Sequence, residues 1–249
     1  MPNWAVKRTP TRPMASPFSW ALLVPYAPSV LRRRLPWALG IMQRIAIFLR
    51  NTGSTNKFRR TVLGTLRSAM VDEALLCSGF FQDDSKYSTG ADFELIAHRS
   101  CAPLKLTTLG LYSYSWKAQY SSFFSQIQSK NACACFTAVK MRIPSMGWHA
   151  KVFLAKAAGQ PVVGIIGSSN VTRRAFGELK DFNYECDVVM WDENIPDIDS
   201  VVNAAIGDPG DVSDVIVTYY DGNHRANKQP LQKRLLSLEA EIMSKAIDA

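Results

Sequence analysis

The chain has 249 residues, of which 47% are hydrophobic and 20% charged, with a formal net charge of +8. That length and apolar content suit one α/β domain with a core of ordinary size, and they exclude a disordered or fibrous chain. No acidic residue precedes Asp72, whereas twelve Lys and Arg do, so the remainder holds 17 basic and 21 acidic residues, a net of −4, and overall basicity gives no argument for nucleic-acid binding by the body of the protein.

Residues 1–41 are rich in Pro and Arg, as in RTPTRPMASPF and VPYAPSVLRRRLP. The prolines break any helix, and no apolar run approaches the roughly 18 residues of a membrane span. A cleaved targeting peptide is one reading, but no small-residue cleavage site follows a clear apolar core. A disordered basic arm holding phosphates is a second, and a segment outside the native protein, which would then start at or near Met42, is a third. The last two are favoured, and the domain is taken as residues 42–249.

From Met42 the pattern becomes that of a folded domain. Gln43–Leu49 reads as a strand, and Thr55 or Asn56 caps a helix from about Lys57 to Met70. Glu73–Phe81 reads as a buried strand, Ala91–His98 as a helix, Lys105–Tyr114 as a strand and Trp116–Ser129 as a helix. Ala132–Val139 is the next strand. Val171–Phe176 reads as a short helix, with amides available to a phosphate. Tyr184–Trp191 is a strand, Ile198–Ile206 a helix, Val212–Tyr220 a strand and Gln229–Ile247 a helix. This alternation predicts an α/β fold, a mixed β-sheet flanked by helices on both faces. His98 is read as a surface or capping residue, and His224 as solvated in a turn.

Five cysteines, an odd number, sit mostly in apolar runs, which points to buried free thiols in a reducing, cytoplasmic setting. Cys133 and Cys135 fall on one face of an expected strand. With no CxxC pair and no His cluster beside them, no zinc site is expected.

The stretch with chemical content is WHAKVFLAKAAGQPVVGIIGSSNVTRRAFGELKDFNYE, residues 148–185. His149 and Lys151 sit two apart at the head of the apolar run Val152-Phe153-Leu154, so a strand would turn them to one face. A second run, Val162–Ile166, ends at Gly167-Ser168-Ser169-Asn170, and Gly159-Gln160-Pro161 is turn material. A β-hairpin would return Ser168 and Asn170 to the side of His149 and Lys151. Lysine charge, neutral Asn and Ser donors and an imidazole that works near neutral pH together suit a phosphate group.

The ordered set His149-x-Lys151, Gly167-Ser168-Ser169-Asn170-x-Thr172 and Asn183-x-Glu185 resembles the HxK…GSxN…NxE signature of the phospholipase D superfamily, and within it the PLD-like nucleases. The resemblance is specific over residues 148–191 and loose over about 57–147. It implies an α/β/α sandwich and a phosphodiesterase in which His149 attacks phosphorus to form a phosphohistidine. Lys151 and Asn170 would hold the non-bridging oxygens, Glu185 would accept a proton from the other imidazole nitrogen, and Ser168 would support that network. Ser169 and Asn183 are supporting residues, and Thr172 is expected to cap the following helix. Lysine supplies the charge, so the resemblance implies neither metal nor cofactor.

Two departures from the family pattern stand out. Lys156 occupies the place of the usual Asp, and fifteen residues separate Lys151 from Gly167, a longer interval than usual. Both favour a nuclease over a lipase. The family uses two histidines, yet neither His98 nor His224 is followed by a Lys two residues on, so the resemblance implies a homodimer that pairs two copies of the motif. The expected partner is nucleic acid, DNA before RNA, with no stable membrane association. A phospholipid phosphodiesterase and a non-catalytic nucleic-acid-binding subunit are the alternatives.

Overall fold

A computed structural model describes residues 42–51, 55–111, 116–144, 149, 151–178, 180–207 and 214–249. Residues 1–41, and with them the readings of the N-terminal segment, lie outside the described residues. The strands are β1 (Arg44–Arg50), β2 (Glu73–Ser78), β3 (Asp83–Asp84), β4 (Tyr87–Ser88), β5 (Leu104–Leu111), β6 (Phe136–Ile143), β7 (Lys151–Ala157), β8 (Gln160–Gly167), β9 (Glu185–Trp191), β10 (Val215–Tyr219) and β11 (Ile247–Asp248). The helices are α1 (Lys57–Arg67), α2 (Lys117–Lys130), α3 (Arg173–Phe176), α4 (Pro196–Ile206) and α5 (Leu231–Lys245). Among the described residues no helix is long and apolar enough to cross a membrane.

Nine strands form one mixed sheet in the order β10-β1-β9-β8-β7-β2-β5-β6-β11, and β3 pairs only with β4. The pairs β2–β5 and β5–β6 are parallel, and β7 runs antiparallel to both β2 and β8. The centre of the sheet reads as near-continuous apolar runs because both of its faces are covered. Alternating residues divide between two cores. Phe153, Ala155, Ile165, Val189 and Trp191 pack with residues of α1, α2 and α4. Leu75, Val152, Leu154 and Met190 pack with Leu231, Leu235 and Ile242 of α5. The mixed sheet with helices on both faces is therefore the architecture present.

Several local expectations change. Ala91–His98 is not an α-helix but two 3-10 turns, Gly90–Asp92 and Ile96–His98, joined around buried Phe93 and Leu95. Asn131 accounts for this: its side chain accepts from the Leu95 and Ile96 amides and donates to the Phe93 carbonyl, replacing helical bonds with side-chain ones. The strand expected at Ala132–Val139 starts four residues later, so Cys133 and Cys135 lie in the turn before β6 and not on a strand face. Of the cysteines, Cys77 is buried while Cys101 and Cys186 are exposed, against the expectation of buried thiols. The C-terminal helix ends at Lys245, and Ile247–Asp248 joins the sheet edge as an unexpected β11 beside β6.

Lys156, where the family pattern has Asp, has a structural task. Its ammonium lies 2.8 Å from Glu239 on α5 and 2.9 Å from Glu73 on β2, with only 11% of its side chain exposed. Burial lowers its proton affinity, and hydrogen bonds to Glu239 and Glu73 more than offset that, so its pKa stands above the ordinary lysine value. The hydrogen bond from Lys156 in turn holds the Glu73 carboxyl below its ordinary value. Lys156→Asp would gather three carboxylates under α5. The expected loss is about 3–5 kcal/mol, as for a broken buried pair, measured by urea unfolding. A loss under about 1 kcal/mol would show the pair to be solvent-screened.

Candidate active site

Antiparallel pairing of β7, β8 and β9 brings the start of β7, the end of β8 and the start of β9 to one end of the sheet. Lys151 pairs with Gly167, Gly167 with Asp187, and Glu185 with Arg50 at the end of β1. The period-two alternation puts Lys151, Glu185 and Asp187 on the face covered by α1, α2 and α4. His149 lies exposed, two residues before β7 and outside it. β7, on whose face it was expected beside Lys151, begins only at Lys151, opposite Gly167.

Glu185 is held from two sides. Ser168 Oγ donates to its Oε2, and Asn183 Nδ2 donates to its Oε1 at 3.2 Å. The Ser168 hydroxyl oxygen in turn accepts the Cys186 amide at 3.0 Å. Glu185 is half-buried and Ser168 exposed. The carboxylate is thus fixed in direction at the open end of the sheet.

Asn170 is oriented by the segment after β2. Its Oδ1 accepts from the Phe80 amide at 3.1 Å and faces the Ser78 hydroxyl at 3.3 Å. With the oxygen so engaged, the Nδ2 amide remains as the group able to donate to an incoming oxygen. Val171 joins the same segment, donating its amide to Ser78 Oγ and bridging Phe81.

One expectation for the next turn is corrected. Thr172 stands at the N-cap position of α3 but makes no side-chain capping bond. Two amides of this turn are engaged within the protein, Arg173 donating to Gln82 Oε1 and Val171 to Ser78.

Asp187 and Arg50 were not singled out from the sequence, whereas Asn56 was expected as a cap of α1. Asp187 is 3% exposed and accepts the Ser169 hydroxyl at 2.6 Å and the Ser169 amide at 3.2 Å. Burial raises its pKa to about 6, against the opposing effect of the Ser169 bonds. Its position two residues after Glu185 was the available signal, because a strand puts both on one face. Arg50 is buried and donates to the carbonyls of Arg174, Ala175 and Gly177 at 2.8–2.9 Å. Asn56 caps α1 by accepting the Arg59 amide and also donates to Ala175 and Gly177. Together they fasten the segment after the Gly167–Asn170 turn to β1 and α1. His98 and His224 are both exposed, and His224 sits in a turn, accepting the Ala226 amide at its own Nδ1.

No protein-family model and no curated protein matches the sequence. Among solved structures, the chain is similar to the phosphatidylserine synthase of Haemophilus influenzae Rd KW20, at 11% identity over 83% of this chain and 47% of the other, with a TM-score of 0.41. It is similar to the polyphosphate kinase of Porphyromonas gingivalis, at 16% identity over 66% and 26%, with a TM-score of 0.38. The yeast tyrosyl-DNA phosphodiesterase matches at 12% identity over 69% and 42%, with a TM-score of 0.32. The chain spans about a quarter to a half of their lengths, and at these scores the chemistry is argued from its own residues.

A carboxyl whose pKa is raised on folding favours the fold while protonated. Asp187 therefore contributes fully below the ordinary aspartate value, and that contribution is lost as pH rises through about 6. A shift of this size corresponds to roughly 3 kcal/mol. Asp187→Asn should gain on the wild type by roughly 2–3 kcal/mol between about pH 4 and about pH 7 in urea unfolding. A difference that stays flat over that range would mean that ionising Asp187 costs the fold nothing.

Proposed function

We propose that the protein is a metal-independent phosphodiesterase of the PLD-like nuclease type that cuts nucleic-acid backbones, DNA before RNA, in a homodimeric site. The observation that carries this reading is the gathering of Lys151, Ser168, Asn170 and Glu185 at one end of three paired strands, with Glu185 held by Ser168 and Asn183.

In the proposed reaction the unprotonated nitrogen of His149 attacks phosphorus, and the bond to the leaving oxygen breaks. Glu185 accepts a hydrogen bond from the other imidazole N–H, which fixes the tautomer and stabilises the positive charge that forms. The Lys151 ammonium and the Asn170 amide meet the non-bridging oxygens. The leaving oxygen takes its proton from His149 of a second copy. That imidazole then removes a proton from water, which attacks the phosphohistidine and releases the first His149. Charge on phosphorus is met by lysine and by neutral donors.

The test is incubation of the purified protein with single- and double-stranded DNA, RNA and phospholipid vesicles in excess EDTA. Nucleic acid should be cut and lipid left intact. Cleavage restored only by added magnesium would overturn the mechanism, cleavage of lipid alone would assign the lipid phosphodiesterase, and saturable binding without turnover would assign the binding subunit. His149→Ala should lower turnover by at least ~10²–10⁴-fold, and Lys151→Ala nearly as much.

The dimer has its own measurement. Mixing His149→Ala chains with Lys151→Ala chains should not restore activity, because each mixed site still lacks one His and one Lys. Sedimentation should show a two-chain species, and a fully active monomer would contradict the paired site. A chain starting at Met42 should keep both its activity and its melting temperature, which differential scanning calorimetry on the two lengths would check.

A further inference from the structure

Three of the five cysteines converge at the end of the sheet opposite Lys151. Cys101 precedes β5, and Cys133 and Cys135 precede β6, and their three sulfur atoms lie within 4.8 Å of one another. Among the described residues no other group of three or more His, Cys, Asp or Glu side chains converges in this way. Cys133 and Cys135 are paired as a disulfide, with the exposed Cys101 thiol beside it.

The two loops are built to hold this arrangement. Ser100 and Cys101 both have left-handed backbones, with φ of 47° and 58°, a conformation that non-glycine residues keep only where the surroundings impose it. Arg99 imposes it. Its side chain is fully buried and donates to the carbonyls of Leu66 and Pro103 at 2.8 and 2.9 Å and to those of Ser68 and Val71. The Ala102 amide closes the turn on the Arg99 carbonyl at 2.8 Å. The second loop is tied to the first by the Leu104 amide, which donates to the Cys135 carbonyl at 2.9 Å. Within it, the Cys135 amide donates to Cys133 Sγ at 3.4 Å.

A disulfide uses two of these sulfurs and gives no account of a third brought in on a strained, anchored turn. Three sulfurs from two braced loops match the ligand preference of a thiophilic cation. We propose that the reduced protein binds one zinc-type ion between Cys101, Cys133 and Cys135, remote from the candidate active site. Two equivalents of an external thiol, or one dithiol, supply two electrons and two protons to the Cys133–Cys135 bond and leave as their own disulfide. Each of the three thiols then gives its proton to solvent as a sulfur–metal bond forms, so binding releases three protons per ion and strengthens with pH.

The experiment uses the full chain, reduced with a phosphine, desalted without oxygen and titrated with Co²⁺ and then Zn²⁺. One cobalt per chain should bind with a thiolate-to-cobalt charge-transfer absorption that zinc abolishes. Cys101→Ser, Cys133→Ser and Cys135→Ser should each weaken binding by at least ~10-fold, while Cys186→Ser leaves it unchanged. Should the serine variants fail to fold by circular dichroism, alkylation of the wild type decides: zinc should protect Cys101, Cys133 and Cys135 and leave Cys186 reactive. No charge-transfer band, binding that survives Cys101→Ser, or alkylation indifferent to zinc would each overturn the site.

Discussion

The close approach of Asp187 to Gly167 governs the geometry of the candidate site. A Cβ at position 167 would overlap the Asp187 carboxylate and sit 2.7 Å from the Cys186 carbonyl oxygen, so the pairing of β8 with β9 at this level requires glycine. With that side chain missing, the Asp187 carboxylate sits over the end of β8 and receives both the amide and the hydroxyl of Ser169. The turn at Ser168–Asn170 is thereby set at one angle. Ser168 then faces Glu185, and Asn170 faces the segment after β2. A buried carboxyl that is satisfied by neutral donors costs some stability near neutral pH, and it specifies a turn that apolar packing would leave free to shift.

A second shell of buried polar groups does the same for the segment that follows. Arg50 and Asn56 between them bond the carbonyls of Arg174, Ala175 and Gly177, which α3 is too short to satisfy. Phe176, within that segment, packs against Phe58 of α1 and against Phe93. The carbonyl anchors decide the path and the aromatic packing supplies the apolar burial. Because Arg50 also stands opposite Glu185 in the β1–β9 register, the anchor for this segment and the acidic residue of the site share one end of the sheet.

The opposite end of the sheet is a separate region. Lys156, with Glu73 and Glu239, joins β7, β2 and α5 there, and the loops carrying Cys101, Cys133 and Cys135 precede the neighbouring parallel strands. The strands between are largely apolar. Substitutions at the two ends should then act independently, as distant sites without shared partners do. Lys156 is understood in the same terms: it faces α5, away from the end that carries Lys151, and its charge is matched to the two carboxylates that α5 and β2 present.

Much of the fold was legible in the chain itself. Apolar runs of strand length, separated by glycine and proline turns, determined β1, β2, β5, β7, β8 and β9 to within a few residues, because strands covered on both faces must be apolar throughout. The period of α5 and of α1, and the spacing from Lys151 to Gly167, determined which residues meet across the central hairpin. What the sequence left open was decided by contacts between distant segments. Asn131 turned an expected helix at Ala91–His98 into two 3-10 turns by bonding its backbone from 35 residues or more away. Ser78 and Gln82 bonded the Val171 and Arg173 amides, partners that local reading did not foresee. Arg99, unremarkable in its tripeptide, bent the chain so that Cys101 met two cysteines 32 and 34 residues on. Periodicity reports which face of an element is buried. It carries no information on which polar group, far along the chain, will satisfy a given backbone donor or acceptor, and that accounting is settled only when the elements pack.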